Sequence, residues 1–335
     1  MNRPQHQYVD RDSGTVVAEQ PFADRWIQAL YSPLLENAAW LSRVTSSRYT
    51  SRLLGYLNYD NLLLSRITGM NRFLRGNGIN TDELIALPGE LDTPRKIFER
   101  KIKYWECRPL PPGKRCVVCP ADARLMVGSM NQQSGLFIKS KFFEFAELLG
   151  DDRHDWHGVF FGGEFAVLRL TPEKYHYTHL PVTGQVTDFY SVAGRYQSCN
   201  PNATVQLLNS CSKNRRVVTI LDTDCEGGTR VGSVAMIEVV ALMVGQIEQL
   251  YSERAYDDPQ PIQKGMVLRV RAPKAFFGPG SSTVVLLFRP RRIRFAEDLV
   301  RNQKRASVCS RYFTVLGLPI CETDVKVRSL LANAP

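Results

Sequence analysis

Helical periodicity gives way to short β-type runs at residues 108–113 (RPLPPG), and this change constrains the fold more than any other feature. Before it, apolar residues recur at helical spacing, with Leu63, Ile67, Met70 and Leu74 on one face of a predicted helix. After it, β-branched and aromatic runs alternate with clusters of Gly, Pro, Asn and Asp. We therefore predict an α+β fold, with a helical N-terminal region over residues 1–107 and a β-rich, largely antiparallel domain over residues 108–335.

Local signals place several elements within these two regions. Asn80 with Glu83 resembles a capping box, and Thr93 with Pro94 predicts the start of a helix that runs to Trp105. Residues 1–20 read as irregular, and residues 296–335 as basic, partly helical and without an assigned role. The predicted strands are 116–119, 165–170, 217–221, 231–250, 266–270 and 283–288, with a helix around 142–149.

Composition narrows the class of protein. Hydrophobic residues make up 44% and charged residues 23%, as is usual for a globular chain. We find no apolar run long enough for a transmembrane helix and no apolar segment typical of a secretory signal. The eight cysteines are scattered, which argues against a disulfide framework. We expect a cytoplasmic protein, peripheral to a membrane if it binds one.

Two surface features bear on partners. The net charge is +10, and residues 264–307 hold eleven Lys or Arg against two acidic residues. This basic stretch either binds anionic lipid headgroups or is a solvated basic face. Without the aromatic–basic interleaving of single-strand binders, we expect no nucleic-acid binding. Apolar residues of the first helical stretch either pack on the β domain or face a bilayer interface: Trp26, Leu30, Tyr31, Leu34, Leu35 and Trp40.

Three short stretches carry the residues suited to chemistry: CPADA at 119–123, YHYTHLP at 175–181 and FFGPGSSTVVLLF at 276–288. Taken singly, each is ordinary: a turn aspartate, two structural histidines and a hairpin loop. Cys116 and Cys119 with His176 and His179 would supply four zinc ligands, but one CxxC is a weak signal and we predict no metal.

In order along the chain, five stretches resemble the phosphatidylserine decarboxylase family. FERKIK, RP and CPAD at 98–122 are similar to its Arg-Lys-Leu-Lys, Arg-Pro and Ser-Pro-Val-Asp-Gly. YHYTHLPVTG at 175–184 is similar to Tyr-His-x-x-His-x-Pro-x-x-Gly. NRRVV at 214–218, VVALMVGQIE at 239–248, and KG at 264–265 with STVVLLF at 282–288 complete the series. The resemblance covers roughly residues 20–295.

The resemblance implies a proenzyme that makes its own cofactor. The Ser282 hydroxyl attacks the carbonyl carbon of Ser281, the peptide link becomes an ester, and β-elimination then breaks the chain at 281/282. Hydrolysis releases ammonia and leaves a pyruvoyl group at the new N-terminus. Its ketone is the electron sink that decarboxylation of an amino acid requires, so neither pyridoxal phosphate nor a metal is expected.

By the same resemblance, His179 is the base that takes the Ser282 proton, and Asp122 orients its imidazole, as in a Ser-His-Asp triad. His176 lies near the substrate and helps protonate the product carbon, and Tyr175 joins it in substrate binding.

Departures from the family leave alternatives open. Ser281 stands where the family usually has Gly, so cleavage at 280/281 competes with cleavage at 281/282. Lys174 stands where the family often has Asp, which bears on the substrate. The leading prediction is conversion of phosphatidylserine to phosphatidylethanolamine and CO2 at an anionic membrane surface. The alternatives are a free, for example aromatic, amino acid substrate, and an uncleaved, non-catalytic relative. A homodimer is an option.

Overall fold

A computed structural model describes residues 5–19, 49, 53, 55–67, 70–76, 79–113, 115–130, 145–196, 210–241, 246–279, 282–310 and 320–335. The predicted apolar face between Trp26 and Trp40 lies outside these residues, as does Ser281. Within them, no helix is both long and apolar enough to cross a bilayer.

A ten-stranded sheet forms the centre of the fold. Its neighbouring strands pair antiparallel, apart from one parallel pair that joins Gln7–Asp10 to Glu322–Val325. The β-rich, largely antiparallel part of the prediction is thereby confirmed. In spatial order the strands are β11 (Val267–Leu268), β7 (Gly184–Val192), β8 (Arg216–Asp222), β9 (Ser233–Val240), β13 (Ser282–Phe288), β5 (Glu164–Leu170), β4 (Ala123–Ser129), β15 (Glu322–Val325), β1 (Gln7–Asp10) and β2 (Val16–Ala18).

Two three-stranded sheets complete the β structure. One has the order β10 (Ile247–Gln249), β12 (Pro273–Phe277), β6 (Tyr177–His179). The other has the order β14 (Arg294–Phe295), β16 (Leu330–Asn333), β3 (Cys116–Val118). The strand predicted over 231–250 is thus two strands in different sheets, β9 and β10.

Strand β13 explains why the sequence forms a two-faced core. All seven of its residues are buried, as expected for a continuous apolar run in a central strand. Because side chains alternate across a sheet, Val284, Leu286 and Phe288 join one apolar cluster. Val285 and Leu287 join another. Replacing any of these residues by a charged one would place an unpaired charge inside the core.

Described helices are short. Thr93 caps the predicted helix by accepting from the Lys96 amide at 3.2 Å. That helix ends at Phe98 and a second begins at Tyr104, so the single helix predicted as far as Trp105 is wrong. The helices are α1 (Leu62–Ile67), α2 (Met70–Gly76), α3 (Pro94–Phe98), α4 (Tyr104–Cys107), α5 (Phe145–Leu149), α6 (His154–Phe160), α7 (Ser210–Lys213) and α8 (Glu297–Gln303), with a π-helical turn at Tyr56–Asp60 and 3-10 turns at Thr81–Glu83 and Pro88–Glu90.

A helical N-terminal region is not supported. Strands β1 and β2 lie in residues predicted to be irregular, and β1 pairs with β15 from the far end of the chain. Leu63 and Ile67 are exposed while Leu74 is fully buried, so they do not form one core-facing stripe. Pairing between strands some 300 residues apart leaves no local periodicity, which is why the sequence pattern missed it.

Candidate active site

Ser282 begins the central strand β13. It pairs with Leu170 at the end of β5 on one side and with Val240 at the end of β9 on the other. Its side chain is fully buried, and its Oγ has no hydrogen-bond partner among the residues that the structure describes. A buried hydroxyl without a partner is unfavourable for stability, so stability does not explain why a serine stands at this position. Nothing is described of Gly280 and Ser281, which precede it.

The loop after β5 leads to His176, also fully buried. Its Nδ1 contacts the Lys174 carbonyl at 2.8 Å, which assigns the ring proton to Nδ1, because a carbonyl only accepts. Its Nε2 is buried and, within the described ranges, has no hydrogen-bond partner. The ring stacks on Phe98 of α3, with centroids 3.6 Å apart. Burial, reinforced by the Arg100 guanidinium, holds the pKa of His176 well below its usual value, so the ring is neutral.

His179 ends strand β6 and is held by both ring nitrogens. Nδ1 donates to the Arg271 carbonyl at 3.0 Å, and Nε2 accepts from the Tyr175 hydroxyl at 3.0 Å. Burial lowers its pKa to about 3, although the bond to Arg271 opposes the shift. The imidazole is therefore neutral at physiological pH, with its basic lone pair on Nε2, where the Tyr175 hydroxyl occupies it.

Asp122 lies beside this strand but binds other groups. Its carboxylate accepts from Arg108, Nη2 to Oδ2 at 2.8 Å, and from the Val327 amide at 2.7 Å. Burial opposes ionisation, but the charge and bonds of Arg108 outweigh it and hold the pKa of Asp122 below its usual value. Asp122 raises the pKa of His179 through space, and Pro120 accepts from the His179 amide at 2.7 Å.

The fold thus brings four of the predicted site residues together: Tyr175 bonds to His179, and Asp122 lies within electrostatic range of both His176 and His179. Strand β12 joins them, because it pairs with β6 and its last residue, Phe277, five positions before Ser282 in the sequence, donates to the His176 carbonyl at 3.1 Å. Direct hydrogen bonds from His179 to Asp122 or Ser282 are absent among the described residues. The catalytic roles of these residues stay predictions.

Several neighbours of the histidines were missed by sequence reasoning. The Tyr175 hydroxyl contacts that of Tyr256 at 2.7 Å as well as His179, and the Tyr104 ring stands edge-on to His179 with centroids 4.6 Å apart. Burial raises the pKa of Tyr175 well above its usual value, so it stays a neutral phenol that donates to His179. Isolated tyrosines carry no local signal of this arrangement. Tyr175 as a substrate-binding residue stays a prediction.

The charged residues singled out in the sequence are used in different ways. Lys274, counted in the basic stretch, is fully buried and paired with Glu238 at 2.6 Å. Lys174 pairs with Asp324 at 2.7 Å. Of the other ten basic residues of the stretch, nine are exposed and Arg292 is half-buried. In the described part of the chain, the cysteines and histidines considered for zinc do not gather into a ligand group.

Because His176 and His179 are buried, we expect the protein to lose stability in mild acid. Their folded pKa values lie below the unfolded value near 6.5, so between pH 7 and 5 the unfolded chain takes up protons that the folded chain does not. We expect the free energy of unfolding to fall by up to about 1.4 kcal/mol per pH unit for each histidine. Urea denaturation of an uncut Ser282→Ala chain at several pH values measures this. His179→Gln should flatten the slope and exposed His154→Gln should not; an unchanged slope in His179→Gln would contradict the burial.

Comparison with known proteins adds an independent finding. The sequence model of the family described as phosphatidylserine decarboxylase matches residues 95–314. The phosphatidylserine decarboxylase proenzyme of Chlamydia pneumoniae is 31% identical over 306 residues, 91% of this chain and 93% of the relative. That of Chlamydia felis (strain Fe/C-56) is 30% identical over 301 residues, 89% and 92% of the two chains. Phosphatidylserine decarboxylase proenzyme 2 of Oryza sativa subsp. japonica is 32% identical over 232 residues, 68% of this chain and 34% of the relative.

Proposed function

The chain belongs to the phosphatidylserine decarboxylase family, and on this premise we propose that it is a self-cleaving, pyruvoyl-dependent carboxy-lyase. It converts phosphatidylserine to phosphatidylethanolamine and CO2. The observation that carries the proposal is the Ser282 hydroxyl, buried without a partner at the head of the central strand. A side chain that folding leaves unsatisfied is well explained if the cleavage reaction consumes it.

The surroundings of Ser282 fit a pyruvoyl group. Two buried polar atoms, Ser282 Oγ and His176 Nε2, have no partner and are available to a reacting group. The pyruvoyl ketone would supply the electron sink that no protein side chain offers. Strand β13 holds the residue by backbone pairing on both sides, so its position does not depend on the chain that precedes it.

The residues of this chain divide the proton chemistry between them. In self-cleavage, His179 takes the Ser282 proton on Nε2, which first requires that Tyr175 release this atom. Asp122, kept ionised by Arg108, stabilises the imidazolium through space. In decarboxylation, His176 donates to the product carbon through Nε2, after taking up a proton from solvent or substrate. Phe98, stacked on His176, keeps its ring in place.

We also propose contact with an anionic membrane surface. Leu63 and Ile67 of α1 are 69% and 71% exposed, and Arg66 between them is exposed as well. Exposed apolar side chains flanked by basic ones suit a bilayer interface. The exposed basic residues of 264–307 would add electrostatic attraction. Cytoplasmic localisation and a homodimer stay predictions.

Incubation with vesicles of phosphatidylserine in phosphatidylcholine tests both proposals, with phosphatidylethanolamine measured after lipid extraction. We expect lipid turnover, and a loss on vesicles but not on soluble dihexanoyl phosphatidylserine for Leu63→Ser with Ile67→Ser. Phe161→Ser, which removes an equally exposed apolar group, is the matched control. Release of CO2 from soluble amino acids without lipid turnover would select the free amino acid alternative. A chain that never cleaves would select the non-catalytic relative.

A further inference from the structure

The C-terminal turn at residues 326–329 reaches the candidate active site from outside the segment matched by the family. Its backbone is held in place on both sides: the Arg328 amide donates to the Cys119 carbonyl at 2.8 Å, and the Cys119 amide donates to the Ser329 carbonyl at 2.8 Å. The Val327 amide binds Asp122. The turn is therefore fixed against the same CPAD stretch that borders His179, and the sequence pattern gave it no role.

Arg328 is a buried cation, and the described part of the chain offers it no matching anion. Its residue exposure is 7%, and its Nε is buried without a partner. Nη1 donates to the Tyr104 carbonyl at 3.0 Å, and the guanidinium carbon lies 5.0 Å from the Tyr104 ring centroid. Among the residues that the structure describes, no carboxylate lies within ion-pairing distance of it. A buried charge of this kind is costly unless something pairs with it.

Arg328 lies close to His179 of the candidate active site. Tyr104 lies between Arg328 and His179, in contact with both. Arg271, whose carbonyl holds His179, lies within electrostatic range of Arg328, and its exposed side chain has no ion pair in the described part of the chain. Both arginines have positive φ, 102° for Arg271 and 69° for Arg328, a backbone strain that collects at functional sites.

We propose that Arg328, assisted by Arg271, binds the phosphodiester of the lipid headgroup and so selects a phospholipid over a free amino acid. This inference rests on the proposed function. The phosphodiester is the better partner than the carboxylate for a chemical reason. The carboxylate loses its charge as CO2 leaves, so a guanidinium bound to it would stabilise the ground state more than the transition state. The phosphodiester keeps its charge throughout, and its binding lowers KM without opposing the chemistry.

The test compares Arg328→Gln with Arg328→Lys on soluble dihexanoyl phosphatidylserine, after intact mass has shown self-cleavage. We expect Arg328→Gln to raise KM roughly tenfold to a hundredfold, with kcat little changed and Arg328→Lys intermediate. Dihexanoyl phosphatidylmethanol carries the phosphodiester alone, and its inhibition constant should rise by a similar factor. O-hexanoylserine carries only amine and carboxylate, and its inhibition constant should not change. Lys326→Gln, on the same turn but exposed and paired with Asp12, is the matched control.

Each outcome decides the inference. An unchanged KM in Arg328→Gln overturns it, as does no inhibition of the unmodified enzyme by phosphatidylmethanol. An equal rise for O-hexanoylserine assigns Arg328 to the carboxylate and also overturns it. Loss of self-cleavage in both variants assigns Arg328 to the cleavage step instead. If the unmodified enzyme yields no phosphatidylethanolamine, the proposed function fails first, a result distinct from all of these.

Discussion

Replacing Ser282 with alanine is expected to leave one uncut chain of 38.0 kDa without decarboxylase activity. The variant lacks the hydroxyl that starts cleavage, and therefore the pyruvoyl group as well. The fold should not suffer, because the hydroxyl is buried without a partner and its removal loses no hydrogen bond. Intact mass under denaturing conditions, with a urea unfolding curve beside it, measures both effects.

Ser281→Ala is the control for this experiment, one residue upstream. It should still be cut, giving a C-terminal chain that starts with the pyruvoyl group at position 282. If Ser282→Ala is cut at 280/281 while Ser281→Ala stays whole, the nucleophile is Ser281 and the proposed site moves by one residue. Cleavage of both variants would mean that neither serine is needed, which contradicts the mechanism.

Lys274→Met is expected to destabilise the protein by about 3–5 kcal/mol. Lys274 and Glu238 are both fully buried and meet at 2.6 Å, with Thr178 and Gln249 also bound to the carboxylate. Burial lowers the pKa of Lys274, although Glu238 opposes the shift. Removing only the lysine leaves a carboxylate in the core without its counter-charge. Urea denaturation in the uncut Ser282→Ala chain gives the free energy of unfolding directly.

A double variant that removes both charges tests whether the loss in Lys274→Met comes from the unpaired carboxylate. Lys274→Met combined with Glu238→Gln should recover most of the loss, because no charge is then buried alone. Arg292→Met, which breaks a half-exposed pair with Asp224, should cost less than about 1 kcal/mol. A double variant as unstable as Lys274→Met alone would show that the effect comes from packing of the lysine stem rather than from charge.

The sequence pattern foretold those parts of the fold that local forces decide. The apolar run of β13 and the Thr93 cap are such cases, since burial on both faces and a free helix amide leave marks within a few residues. The pairing of β1 with β15, in contrast, depends on segments at opposite ends of the chain. No periodicity within either strand identifies its partner.

The residues of the candidate site were also predicted only in part. Motif order grouped Asp122, His176, His179 and Ser282. The fold places the two histidines at either end of β6 with Asp122 in electrostatic range of both, and Ser282 at the start of β13. Arg328 and the pair Lys274–Glu238 were missed because a single charged residue in a sequence usually lies at the surface. Only the three-dimensional arrangement shows that these charges are buried, and which of them has a partner.

The central place of β13 has a consequence for how the mature molecule would unfold. After a cut at 281/282, the smaller chain would hold β13 in the middle of the large sheet, β15 next to β4, and β16 between β14 and β3. The two chains would be interwoven, so the proenzyme must fold before it cuts. Once denatured, the separated chains would have to find each other in solution, which makes recovery dependent on concentration and slow compared with aggregation. The lifetime of the working enzyme would then be set by its rate of unfolding, since the continuous chain that guided its folding no longer exists.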